Sequence, residues 1–521
     1  MKKPNVIIYF ADDLGYGDVS CFNSDSKINT KCMDEMAKNG VKFTDVHASS
    51  AICTPSRYSL LTGRHNWRSE HQGGICSVYG NSWIKKEQAT IGTMMQENGY
   101  NTAHIGKWHL GFGWDFDAKN GDFFYRTKKK TSKTIEELQE VWKEAFSKPT
   151  LDSPTHHGFD YSYGVDLPNW PPYTYIENNY PTEIPDQWLS DEFIGDNIAS
   201  MCGPVAPNFK FDEIIGNLTN RAEKYIEENS QDEKPFFLYF AATTPHTPLV
   251  PSKEFSGISG LNSPYADMVL ETDNSLGRII QKVKDCGIEE DTIIIFASDN
   301  GCASYIGVDN LLEQGHHPSG IYRGYKADAW DGGHRIPFIM QWKNHLECEK
   351  EFDNLVCLTD VFATVASLTN STYSSNSAED SFDISSVFEN KTAERDFCIH
   401  QSSTGKFAVR TSKWKLILSP YSGAGTYFSS KSYQYDISTP EMAKELNLPP
   451  IQLYDMEIDP SEKNNIALEN IDIVKSLISK LQIAVENGRN TTGTVLSNDV
   501  DVDIWKTHEL YEEELACILE G

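Results

Sequence analysis

The stretch NVIIYFADD, residues 5–13, carries an unbroken apolar run into two adjacent carboxylates. A strand with one wet face alternates apolar and polar residues. An uninterrupted run of strand length instead marks a strand covered on both faces, as in a parallel sheet sandwiched by helices. The run stops at Asp12 and Asp13, which places them at the strand's carboxyl end, the edge of an open α/β sheet where ligands bind. Three further stretches repeat the arrangement. NTAHIG (101–106), preceded by the helix-like TIGTMMQENG, leads into Lys107 and His109 of GKWH. KPFFLYFAATTPH (234–246) runs out at His246, and DTIIIFASDNG (291–301), after an amphipathic stretch from about Pro264 to Asp285, ends at Asp299 and Asn300.

Each ending alone has an ordinary explanation. An aspartate pair after a strand serves turns and helix caps, a histidine in TTPH sits in a loop, and SDNG is a turn. Recurrence at one edge of one sheet is what gives the four endings weight. Asp12, Asp13, Asp299 and Asn300 offer only oxygen ligands, a set suited to a hard cation, Ca²⁺ ahead of Mg²⁺, and not to zinc.

A second kind of signal is CTPSRYSLLTGR (53–64). Pro55 suits a first helical turn and Gly63 an exit, so a short helix is expected from about Pro55 to Thr62. Cys53 then lies among unpaired N–H groups at the positive end of the helix dipole, with Arg57 four residues on along the same face. Together they form an anion-handling group. The alternative is a buried structural cysteine beside a surface arginine.

The chain has 521 residues, enough for two domains. Its formal net charge of −29 excludes a nucleic-acid partner or an anionic membrane surface. An anionic substrate would need local lysines and arginines inside the site. The longest apolar runs are strand length, so no transmembrane segment is expected, and the N-terminal run is too short for a signal sequence. The chain as given is expected to be cytoplasmic, or periplasmic or secreted if a signal has been removed. Eleven cysteines without a CxxC pair form no metal or redox framework.

CTPSRYSLLTGR matches C-x-P-S-R-x-x-x-L-T-G-R, and the chain thereby resembles the type I sulfatases of the alkaline phosphatase superfamily, in the arylsulfatase and N-acetylgalactosamine-6-sulfatase-like bacterial branch. GKWHLG (106–111) is similar to that family's second signature. NVIIYFADDLGYGD, SDNG, YRGYKADAWDGGHRIP (322–337) and QLYDMEIDPSEKNNIA (452–467) follow in the family's order. Asp331 stands where the family more often has Glu. Residues 115–156 match poorly, and their RTKKK run is expected to be solvated surface.

The resemblance implies an α/β fold: a large alkaline-phosphatase-like mixed sheet flanked by helices, plus a smaller C-terminal α+β domain with an antiparallel sheet. Residues 1–370 are expected as the catalytic domain, 371–392 as a connecting segment and 393–521 as the small domain, with 406–418 a hairpin-like strand pair. It also implies oxidation of Cys53 to formylglycine by a maturation enzyme acting on residues 53–64, and one Ca²⁺ held by Asp12, Asp13, Asp299, Asn300 and residue 53. Arg57 would steady the hydrated aldehyde, and Lys107 and Lys326 would bind sulfate. His109 would take a proton from the second hydroxyl, and His246, with Lys326, would protonate the leaving alcohol.

The implied activity is hydrolysis of small sulfate monoesters of sugars or of aryl or steroid alcohols. The competing expectations are a phosphatase, phosphodiesterase or phosphonate hydrolase of the same superfamily, a cysteine hydrolase, and a non-catalytic sulfatase-like binding protein. Trp170, Tyr173 and Tyr175 of DLPNWPPYTYIENN (166–179) are equally candidates for stacking on substrate and for packing a proline-rich loop.

Overall fold

The computed structural model of the chain describes residues 3–116, 133–189, 199–389, 395–425, 437, 439–506 and 510–520. The RTKKK run lies outside the described residues. The opening apolar run is strand β1 (Asn5–Ala11), buried along its whole length. Along the chain follow β2 (Val41–Phe43), β3 (Asn101–Lys107), β4 (Tyr161–Val165), β5 (Phe236–Ala241), β6 (Thr292–Ser298) and β7 (Phe338–Gln341). β1 lies between β5 and β6 and parallel to both, with Ile8 opposite Tyr239 on one side and Ile295 on the other. β3 pairs parallel with β5, and β4 with β3. β7 runs antiparallel to β6 and β2, so the ten-stranded sheet is mixed.

Both faces of β1 are covered, which is why its sequence does not alternate. Val6, Ile8 and Phe10 enter one core with Tyr58 and Leu61; Ile7, Tyr9 and Ala11 enter the other with Leu276 and Ile279. Burying a large apolar side chain stabilises by about 1.5–3 kcal/mol, so a charge is tolerated only where the strand ends. The first core is closed by helix α1 (Cys53–Thr62), all of whose residues are buried. It begins two residues earlier than expected: Ile52 is still extended, and Pro55 falls inside the first turn, where a missing N–H costs nothing. Gly63 ends it at φ 63°, where a Cβ would lie 2.6 Å from that of Ala378. The second core is closed by α2 (Ile214–Asn229) and α3 (Pro264–Asp285), the latter starting at Pro264 behind a Ser263 cap.

A separate small antiparallel sheet follows, made of β8 (Cys398–Gln401), β9 (Phe407–Arg410), β10 (Trp414–Ile417) and β11 (Gln452–Asp455). Helix α4 (Ile471–Glu486) covers it through Val474, Leu477 and Leu481 against Ile399, Val409, Leu416 and Leu453. This sheet is joined to the active half of the molecule. The Gln401 N–H donates to the Ser49 carbonyl at 3.1 Å, the Ala51 N–H to that of Gln401 at 2.8 Å, and the Ser403 N–H to that of Ala327 at 3.0 Å. Ahead of the small sheet, Ala378 and Ile384 pack into the large core, and the Asp380 carboxylate accepts from Arg68 at 2.7 and 2.8 Å. All eleven cysteines are free thiols. No described helix is long and apolar enough to cross a membrane.

Candidate active site

Four neighbouring strands, in the order β6, β1, β5, β3, deliver the polar residues that follow their carboxyl ends to one place. Backbone hydrogen bonds continue past the strands and fix the ends: the Asp12 N–H donates to Thr244 and the Asp299 N–H to Ala11, both at 3.1 Å. Three non-glycine residues here adopt left-handed backbone, Asp13 (φ 63°), His109 (φ 51°) and Ala327 (φ 82°). Such conformations carry strain and persist where surrounding structure enforces them. Gly106, inside GKWH, is required by contact: a Cβ there would meet the Ala241 carbonyl oxygen at 1.8 Å.

At the start of α1, Cys53 Sγ lies 3.7 Å from Asp12 Oδ1 and 3.8 Å from Asp13 Oδ1. Lys107 Nζ donates to both oxygens of Asp12 at 2.9 and 2.7 Å, and Lys326 Nζ to both of Asp13 at 2.7 Å. Arg57 reaches Asp299 Oδ2 at 2.8 Å and Asp12 Oδ1 at 3.2 Å. Three carboxylates thus face three cations in a buried volume. Burial pushes the Asp12 carboxyl up, but Lys107, His246 and Arg57 overcome it and hold it down at about 2. Asp13 is lowered in the same way, chiefly by Lys326 against burial.

The neutral groups are not matched so completely. His109 is buried with neither ring nitrogen hydrogen-bonded, and Asn300 donates to Asp13 Oδ1 at 2.8 Å while its own Oδ1 has no partner. Burial, with Lys107 and Arg57 close by, drives the His109 imidazole far down, so it is neutral. His246 donates from Nδ1 to the Thr247 carbonyl at 2.7 Å, and its Nε2 lies 3.6 Å from Asp13 Oδ2. Burial pushes the Cys53 thiol well up, with Lys107 and Lys326 pulling the other way without prevailing.

Ligand-type atoms of Asp12, Asp13, Cys53 and His246 all lie within 4.8 Å of one another. Together with the unpaired Asn300 Oδ1, this oxygen-rich donor set fits a divalent cation.

Next to this group lies a cavity of about 410 Å³. Cys53, His109, His246 and Lys326 line it, and its walls include Ile75, Leu167, Trp170 and Met201. The three aromatic candidates separate. Trp170 lines the cavity, whereas the Tyr173 hydroxyl donates to the Asn169 and Met201 carbonyls, and Tyr175 stacks on Tyr163 at 5.3 Å. Asp331 lies outside the cavity lining, paired with Lys415 and Arg335. Sequence reasoning missed Asn169, Tyr305, Ser403, Thr404, Ala424 and Gly425, which also line the cavity. The last four come from loops next to the small sheet, and no motif marks them.

A mixed sheet with its strand-end carboxylates, a helix-borne cysteine and paired lysines defines a hydrolase of the alkaline phosphatase superfamily. Over residues 4–371 the chain matches the sulfatase family model, and it belongs to that family. It is 33% identical to the N-acetylgalactosamine-6-O-sulfatase of Bacteroides thetaiotaomicron, across 92% of this chain and 93% of that protein. To human steryl-sulfatase it is 26% identical, across 94% of this chain and 88% of that one. A solved structure described under the metabolism of multiple glycosaminoglycans by Bacteroides thetaiotaomicron superposes with a TM-score of 0.74 at 29% identity, covering 92% of this chain and 99% of that one. The chain is therefore a sulfuric ester hydrolase.

Proposed function

We propose that the enzyme removes sulfate from a terminal sugar sulfate, the class named for its 33%-identical relative, using a formylglycine made from Cys53 by a separate maturation enzyme. The observation that carries this is the placement of Cys53, which lines the cavity from the first turn of a buried helix and lies within 4 Å of both Asp12 and Asp13. Asp12, Asp13, Asp299, Asn300 and residue 53 would hold the cation, Ca²⁺ in preference to Mg²⁺ because its irregular coordination accepts carboxylates with an amide oxygen. Bound there, it would neutralise the carboxylates and polarise the ester. Hydrated formylglycine would supply one hydroxyl as nucleophile and a second whose deprotonation expels sulfate, so that no stable sulfate ester remains on the protein.

The remaining roles fall to this chain's own side chains. Lys107 and Lys326 hold the anionic oxygens, supplying inside the site the positive charge that the chain as a whole lacks. Arg57, fixed between Asp12 and Asp299, steadies position 53. His109 is neutral with both nitrogens unpaired, which suits it to receive the proton from the second hydroxyl. His246, its Nδ1 proton held by the Thr247 carbonyl, would protonate the departing alcohol from Nε2 in its imidazolium form, which Asp12 and Asp13 favour against burial, together with Lys326. The raised thiol of Cys53 opposes a cysteine-hydrolase mechanism, which needs a thiolate.

The test is the mass of the peptide spanning residues 53–64 alongside sulfate release. A loss of about 18 Da, with turnover that collapses on chelation and returns with Ca²⁺, is the expected result. Native cysteine in a fully active enzyme would sink the formylglycine chemistry.

A further inference from the structure

One wall of the cavity is built from two loops tied across each other. After β4, Asn169 Nδ2 donates to the Ala199 carbonyl at 2.7 Å, and Trp170 Nε1 donates to the same oxygen at 2.8 Å. The Met201 N–H returns a bond to the Asn169 carbonyl at 3.0 Å, and Ala199 itself is held in left-handed backbone at φ 69°. The Ala199 carbonyl can only accept, so the Asn169 amide is fixed in one orientation, NH₂ toward Ala199. Its Oδ1 is left without a partner, although the residue is only 3% exposed and lines the cavity. A buried acceptor without a donor is costly, and within a preorganised wall it marks a place where a ligand supplies the donor. Leu167, Trp170 and Met201 beside it are apolar and offer no competing donor to that oxygen apart from the indole N–H, which Ala199 already occupies.

We propose that Asn169 Oδ1 is the specificity-determining acceptor for the alcohol part of the substrate. It takes a hydroxyl or amide N–H from a sulfated hexose or N-acetylhexosamine whose apolar ring face lies along Trp170. An amide oxygen pairs with a donor and repels a carboxylate or second sulfate at that point. The subsite therefore selects a neutral, donor-bearing ring position over a further anionic group. It also distinguishes sugar sulfates from simple aryl sulfates, which bring no donor. This subsite presupposes the sulfatase activity proposed above.

The experiment compares kcat/KM of the matured enzyme, Asn169→Ala and Asn169→Asp on N-acetylgalactosamine 6-sulfate and on 4-nitrophenyl sulfate. Asn169→Ala is expected to lose about 10- to 100-fold on the sugar sulfate, the worth of one hydrogen bond in a dry site, and less than about threefold on the aryl sulfate, which makes no such bond. Asn169→Asp loses the N–H that fixes the side chain against Ala199 and sets an anionic oxygen there instead, so it is expected to lose at least as much on the sugar sulfate as Asn169→Ala. Equal losses on the two substrates in both variants, or unchanged sugar-sulfate turnover in Asn169→Ala, overturn the subsite. A wild-type enzyme carrying the aldehyde yet cleaving neither substrate overturns the sulfatase proposal, and the subsite with it.

Discussion

Two buried clusters in this molecule have nearly the same composition and different chemistry. At the strand ends, Asp12, Asp13 and Asp299 meet Arg57, Lys107 and Lys326. Behind the small sheet, Asp45, Asp331 and Glu462 meet Arg335, Arg410 and Lys415. Each balances three carboxylates against three cations, each includes histidines, and each contains a group of side chains of metal-binding type. In the second cluster the polar atoms chain together. Lys415 donates to Asp331 at 2.7 Å and meets Glu462 at 2.8 Å and His334 Nε2 at 3.1 Å; His334 Nδ1 meets His47 Nδ1 at 3.0 Å, and His47 Nε2 meets Asp45 at 2.9 Å. His400, tilted against His334, has neither ring nitrogen paired, and Arg410 Nε and Nη1 are also without partners. The result joins β9 and β10 to the large sheet. In the first cluster Cys53, His109 and His246 open onto a cavity, and Asn300 Oδ1 waits for a partner. Buried charge by itself therefore says little about catalysis. Unpaired neutral atoms beside an open volume say more.

The largest effect that can break this comparison is at position 53. Cys53→Ala is expected to lower kcat by at least about 10³-fold while leaving the thermal midpoint near that of the wild type, measured by sulfate release and calorimetry on the same sample. Cation binding should separate the clusters as sharply. Calcium titration of the chelated protein is expected to give one site per chain, lost in Asp13→Asn and kept in Lys415→Met. A second site that disappears with Lys415→Met or grows in its place would erase the distinction. Lys415→Met should instead act on stability. It strands Asp331 and Glu462 without their shared ammonium, and breaking a buried pair in this way costs about 3–5 kcal/mol. Denaturant unfolding reads that loss, with kcat of the folded fraction within about threefold of wild type.

What could be read from the sequence follows the same division. Parallel strands covered on both faces leave unbroken apolar runs, so β1, β5 and β6 and the polar residues at their ends were visible; β3, NTAHIGK, has no such run and was read from the helix-like stretch before it. Helix α3 was visible as an amphipathic stretch with the bounds it has in the fold, where Ser263 caps its start and Lys282 and Lys284 lie in its last turn. The cavity's far side was not. Ser403 and Thr404 reach it only because Gln401 pairs with Ser49 and Ala51, a contact across some 350 residues that no local pattern encodes. Asn169 has a partnerless oxygen only because Ala199, thirty residues later, takes the other half of its amide. Trp170, Tyr173 and Tyr175 belong to one short motif and went to different places, one to the cavity, one to backbone carbonyls and one to a ring stack, as their tertiary neighbours dictated.

The smallest expected effect sharpens the comparison through a pair of aspartates. Asp331 and Asp166 are equally buried, yet Lys415, with Arg410 behind it, holds the Asp331 carboxyl far below its ordinary range against burial. Asp166, at the end of β4, has one oxygen without a partner, and burial pushes it up to about 7; the His109 N–H and Lys107 pull it down without prevailing. Between an ordinary value near 4 and about 7, the folded chain keeps a proton on Asp166 that the unfolded chain has released. The stability this confers is complete below about pH 4 and is lost as pH rises to 7, at up to about 1.4 kcal/mol per pH unit. Asp331 has the opposite sign: its contribution is present at neutral pH and is lost on acidification. Asp166→Asn removes the first dependence alone, so its stability relative to wild type should climb from pH 5 to pH 7 by about 1–3 kcal/mol and then level off, as read by denaturant unfolding at each pH. A difference that stays flat across that window would mean that Asp166 is ionised in the folded protein, a carboxylate past the end of β4 as well satisfied as those behind the small sheet.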